Sequence, residues 1–167
     1  MYLVVLFVIA ILCATVHLFV SKKKVSFKRI IEILLAYIIP FSIGIASLLG
    51  FIFHAFFGPE TAARIGWPPN NPFQFEVAIG NLAMSVAGFL AIWQRRGFWM
   101  ATTIFSGVFS LGAAYGHIVQ MLGGNHAPYN SGVFLYLGDI VIPIIYLVLT
   151  GIYTYQNKFF RNEYSSL

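Results

Sequence analysis

Five long apolar runs, at residues 2–20, 30–57, 72–94, 98–122 and 133–155, leave this chain little choice of fold. A helix crossing a hydrocarbon core of about 30 Å needs about 20 apolar residues, and each run reaches that length. Lipid offers the backbone no hydrogen-bond partner, so such runs close as helices. No interval between them is long enough for a soluble domain. Composition agrees: 59% of the 167 residues are hydrophobic and 9% charged, and the mean hydropathy is +0.83, outside the range of soluble domains. The expected fold is all-α, a polytopic membrane helix bundle of five transmembrane helices forming one domain over 1–167. Within it, 1–29 is read as a peripheral first helix with a basic inner loop, 30–157 as a four-helix core bundle and 158–167 as an inner tail.

A net charge of +5 would suit a nucleic-acid partner if the basic residues formed a patch, but they fall in short clusters beside the apolar runs. Lys22, Lys23, Lys24, Lys28 and Arg29 follow the first run, Arg95 and Arg96 the third, Lys158 and Arg161 the fifth, and only Arg64 lies on the other side. The expected partner is therefore the lipid bilayer and no nucleic acid. The positive-inside rule places the amino terminus outside and the carboxy terminus inside, in a multi-pass protein of a plasma membrane. Trp67, Trp93 and Trp99 fall at the run ends, where indole rings favour the membrane interface. The first run has no basic residue before it and three lysines soon after it, so it reads as a retained helix and not a cleaved signal. A lone cysteine, Cys13, excludes an internal disulfide framework and a cysteine metal cluster.

Element ends and seams are partly legible. Pro40 interrupts the second run and removes a backbone donor there, so a tilt or kink is expected. Asn71-Pro72-Phe73-Gln74 has the form of a capping box with Pro at the first helical position, which makes Gln74 a capping partner. Asn130-Ser131-Gly132 offers a cap for the fifth helix. Small residues form seams for close helix approach: Ser42, Ala46 and Gly50; Gly80, Ala83 and Ala87; Gly112 and Gly116. The last pair suits either internal packing or a homo-oligomer or membrane-complex partner. The first run is almost all bulky, so its helix is expected at the periphery.

Because successive helices alternate direction, His54, Glu76, His117 and Asp139 fall at one depth, roughly 5–10 Å inside one boundary at 1.5 Å per residue. Ionisable groups inside a membrane are costly, which marks such a place as a candidate site beneath the loops 58–71 and 123–132. The reading is a binding or transport module for a proton, a divalent metal or a small polar solute. His54, Glu76, His117 and Asp139 are ordinary ligand types for Zn²⁺ or another first-row metal. Alternatively, the chain is a redox-associated subunit that binds haem b, with His54 and His117 as axial ligands, or a quinone; or the four residues are a structural polar cluster holding helices together. The candidate ligand or proton site extends to Gln74, Asn81, Asn125 and Tyr146; Asn81 reads also as interhelical glue, and Tyr146, Thr150 and Tyr153 as a polar stripe leading inward. His17 is read as structural, with Glu32 its one conceivable partner, and His126 as solvated. No nucleophile elbow, phosphate loop or zinc-protease helix is present, so an enzyme is not expected.

The stretch Gly66-Trp67-Pro68 through Pro72-Phe73-Gln74-Phe75-Glu76, followed by Gly116-His117, Asn125, Pro128, Asn130, Gly132 and Asp139, resembles a family of small prokaryotic membrane proteins known as a domain of unknown function. That family is broadly similar to DoxX-like four-helix proteins. The resemblance covers about residues 45–150 and leaves helix 1 outside. It implies a membrane helix bundle and carries no residue role; Tyr129 stands where the family pattern often has Gly.

Overall fold

The structure, a computed structural model, describes residues 2–69 and 71–164, with side chains described as far as Asn157. Asn70 and the end of the expected tail, 165–167, lie outside the described residues, as do the side chains of Lys158 and Arg161. The described chain forms six helices: α1 (Tyr2–Val20), α2 (Phe27–Phe56), α3 (Gly58–Ile65), α4 (Phe73–Leu90), α5 (Gly97–Leu122) and α6, in which Phe134–Val141 continues into Ile142–Tyr164. All but α3 are long and apolar enough to cross a membrane. Most of the expected tail thus continues α6 as helix.

Helix α2 is the hub. Ser26 starts it, its hydroxyl accepting from the Arg29 amide at 3.3 Å, which satisfies one of the donors that a helix start leaves open. Ile31, Leu35, Ile38, Ile39 and Ile43 are buried along it, followed by Ala46, Ser47 and Gly50, and it touches α1, α4 and α6. The irregularity expected at Pro40 takes the form of π-helical turns over Ile39–Ile45. A second π-helical stretch, Phe134–Val141, precedes Pro143. A proline ring crowds the carbonyl four residues earlier and offers no N–H in return, so wider turns nearby relieve the ladder.

Packing corrects the expected seams. Helices α2 and α4 meet backbone to backbone at Gly44 and Gly88, where a Cβ on Gly88 would collide with the Gly44 backbone. The inward line of α4 is therefore Gln74, Ala78, Ser85 and Gly88, all buried, with Asn81 between them, and Ala83 of the expected seam is exposed. On α5 the tight position is Gly107, against Leu147 of α6. Gly112 and Gly116 have no heavy atom within 4 Å of a Cβ built there, so the pair serves no internal packing.

Helix α1 buries Ala10 and Ala14 and leaves most of its length exposed, yet its first turn is not peripheral: Leu3 lies over Gly138 of α6. Two side chains at the basic end also differ from expectation. Trp99 is 1% exposed, because the turn after α4 folds back so that the Ala91 carbonyl accepts from its indole N–H at 2.7 Å, and its ring lies 5.2 Å from that of Tyr153. His17 pairs with Tyr37 at 3.1 Å, while Glu32 binds Arg95 at 2.8 Å.

The segment 58–71, expected as a loop, contains α3. Pro59 lies in its first turn, Glu60 and Arg64 complement its dipole, and Gly66 closes it at φ 78°, a conformation that glycine adopts without penalty. The Thr61 hydroxyl donates to the Phe53 carbonyl at 3.0 Å, and the Tyr129 amide to the Arg64 carbonyl at 2.9 Å. Helix α3 is thereby bound to α2 on one side and to the loop before α6 on the other.

Candidate functional site

Beneath α3 lies a cavity of about 500 Å³, within the range of small-molecule sites. Its walls come from all five long helices: Tyr2 from α1, Ser42, Ser47 and His54 from α2, Asn81 from α4, Ser106, Ser110 and His117 from α5, Asp139 and Tyr146 from α6. Ser106, Ser110, Ala113 and His117 share one face of α5 and all line the cavity. The Ser106 and Tyr146 hydroxyls are 3.1 Å apart.

His117 is held in one orientation by Asn130. Its Nδ1 lies 2.6 Å from the Asn130 Oδ1, while the Asn130 amide nitrogen donates to the carbonyls of Ile65 at 3.0 Å and Asn125 at 3.1 Å. Two carbonyl acceptors fix which end of the amide is nitrogen, so Oδ1 must face the ring and Nδ1 must carry the proton. The other nitrogen, Nε2, lies 3.8 Å from Asp139 Oδ2, an oxygen that is buried without a hydrogen-bond partner. That gap is too long for a direct hydrogen bond. One proton placed between them would make the pair either imidazolium facing carboxylate or imidazole facing carboxylic acid.

His54 repeats the construction. Its Nδ1 lies 2.9 Å from Gln74 Oε1, and the Gln74 amide nitrogen donates to the Gly58 carbonyl at 2.6 Å. By the same reasoning Nδ1 carries the proton and Nε2 is left as an acceptor. The two amides attach to the two ends of α3, Gln74 at Gly58 and Asn130 at Ile65. Both cavity histidines are thus connected, through one side chain each, to the short helix above them.

The other expected residues divide. Asn81 lines the cavity, donates to the Val77 carbonyl at 2.9 Å and lies against Gly50. Gln74 is no capping partner: Asn71 Oδ1 accepts from the Phe73 amide at 3.0 Å, and Gln74 reaches inward to His54. Asn125 clasps the two loops, donating to Gln120 Oε1 at 3.1 Å and the Gly66 carbonyl at 3.3 Å, and it does not line the cavity. Glu76 is exposed and outside the cavity lining. Two residues along from Gln74 it is turned about 200° around the helix, so the inward place at that depth belongs to the amide.

Asn130, read from the sequence as a cap, is instead fully buried and the anchor of His117. Tyr2 and the stacked pair Tyr129 and Phe134, with ring centroids 3.9 Å apart, also line the cavity. No sequence signal marked Tyr2; Asn130 carried one, as an amide between two glycine-bearing loop segments. Among the described residues no group of three or more His, Cys, Asp or Glu side chains is placed to hold a metal ion. The four expected ligands do not converge as a set, since His54 and His117 are engaged by separate amides and Glu76 faces away.

The sequence model of one family, described as "Family of unknown function (DUF6790)", matches residues 1–158. The chain belongs to DUF6790. The match begins at residue 1, so α1 lies inside the DUF6790 unit, contrary to the resemblance read over 45–150. No curated protein and no solved structure matches the DUF6790 chain.

Proposed function

We propose that this DUF6790 chain is a non-enzymatic binding or transport module of a prokaryotic inner membrane, its α3 end facing outward, which takes up a proton or a small solute rich in hydrogen-bond donors. The observation that carries this reading is the arrangement of two amide-anchored histidines and an unpartnered Asp139 oxygen on the walls of one cavity. With each Nδ1 proton committed to an amide, both Nε2 atoms and the Asp139 carboxylate are acceptors until a proton or another donor enters between them, so the complement is a donor. A carboxylate buried in apolar surroundings is costly without a proton or cation beside it, which gives such a ligand its binding energy. Orientation rests on the positive-inside rule applied to the loops after α1 and α4. A likeness to DoxX-like four-helix proteins belongs to the same proposal.

Guanidinium, a permanent cation with donors only, is a suitable probe. Purified full-length protein is expected to bind radiolabelled guanidinium saturably, or to pass protons into liposomes holding a pH indicator. Asp139→Asn is expected to reduce either signal by at least about tenfold, the effect of losing a charge-assisted hydrogen bond of about 1.5–3 kcal/mol. Glu76→Gln, outside the cavity, is expected to leave both unchanged. Wild-type protein that neither binds guanidinium saturably nor conducts protons above protein-free liposomes overturns the proposal.

A further inference from the structure

A second concavity, independent of the cavity reading, lies at the opposite end of the molecule between α1 and α2. It is an open groove of about 620 Å³. Leu12, Val16 and Val20 form its apolar wall, His17 and Tyr37 meet at its middle, and Ser21 closes it. The groove runs along α1 from Leu12 to Ser21, and Arg29 adjoins its Ser21 end from outside the lining. At that end the Arg29 guanidinium donates from Nη2 to the Ser21 hydroxyl at 2.6 Å, and its Nε is buried with no hydrogen-bond partner. Lys22, Lys23 and Lys24 precede it in sequence, and the nearest acid along α2, Glu32, is engaged by Arg95 at 2.8 Å. A guanidinium nitrogen without an acceptor, close in sequence to Lys22, Lys23 and Lys24, calls for an anion.

The geometry points to a bound anionic glycerophospholipid. Its phosphate lies at Arg29 and Ser21, its ester carbonyls at the His17 and Tyr37 pair, and one acyl chain along Val16 and Leu12. The vertical order fits: His17 is one turn, about 6 Å, below Ser21 along α1, and the ester groups of such a lipid come next after its phosphate. Charge complementarity selects the headgroup, because basic pockets between transmembrane helices bind anionic lipid headgroups. The apolar wall selects a lipid over a free phosphate, which would leave Leu12, Val16 and Val20, 59%, 60% and 76% exposed, uncovered.

The test is native mass spectrometry of the full chain in a mild detergent with added dioleoyl phosphatidylglycerol, dioleoyl phosphatidylcholine or inorganic phosphate. One phosphatidylglycerol is expected to be retained about tenfold more tightly than phosphatidylcholine, the ratio expected from one to two basic contacts, with no retention of phosphate. Arg29→Gln is expected to remove the preference. Val16→Trp, an exposed change that fills the groove without touching any charge, is expected to remove retention while the thermal midpoint in phosphatidylcholine stays unchanged. Equal retention of the two lipids, or full retention by Val16→Trp, overturns the assignment and leaves only surface attraction by the lysines; if Arg29→Gln does not fold, Val16→Trp decides alone.

Discussion

Asn130 joins His117, Ile65 and Asn125 through one fully buried amide, so its removal leaves several buried polar groups without partners at once. Asn130→Ala is expected to destabilise the protein by about 2–4 kcal/mol, given about 1–3 kcal/mol for each buried group left unsatisfied and partial relief by water. Chemical denaturation in detergent measures it. Gln74 and Glu76 show why residue roles on α4 were hard to read. Both sit in the first turn at the same depth, and two lines of small or polar residues run down the helix from them. One passes through Ala78, Ser85 and Gly88, the other through Gly80, Ala83 and Ala87. Periodicity finds a face only when one line is distinctly different from its neighbours, and here neither is; the Gly44 backbone decides for Gly88.

At the level of elements, the same glycines separate two kinds of small residue. Gly88→Ala puts a methyl group into the Gly44 backbone, and overpacking of this sort is expected to cost about 1–3 kcal/mol or to part α2 from α4. Gly112→Ala meets open space and is expected to be neutral or to stabilise α5 by up to about 1 kcal/mol, since glycine is a poor helix former. Thermal unfolding of the two variants side by side checks the contrast; equal losses would show that α5 is packed at Gly112 after all. Helix α3 was legible in principle, because Pro59, Glu60, Arg64 and Gly66 are start and stop signals in order. Its eight residues are too few and too polar to register beside runs of twenty. Asp139 lies within the π-helical stretch before Pro143, so the wide turns that relieve the proline also help set where the carboxylate points.

For the molecule as a whole, the basic turns after α1 and α4 lie at one end and α3 at the other. With α3 outward, in a Cys13→Ala background, Ala63→Cys is expected to react with a membrane-impermeant maleimide on intact cells, and Gln94→Cys only after permeabilisation. Both side chains are exposed, so accessibility reports sidedness and not burial. The reversed pattern would invert the topology and place the cavity toward the cytoplasm.

Length and hydropathy alone determined that five helices are long and apolar enough to cross, where each begins and ends to within a few residues except at the end of α6, which runs nine residues past the expected 155 to Tyr164, and that His54, His117 and Asp139 share a depth, because rise per residue is constant and lipid leaves the backbone no alternative. Rotation about each helix axis was decided only by tertiary structure. It depends on which glycine meets which backbone and on which buried amide finds two carbonyls, and these are contacts between segments far apart in the chain. That is why Glu76 turned outward, why Gln74 and Asn130 became the anchors of the two histidines, and why the first turn of α1 reached the cavity.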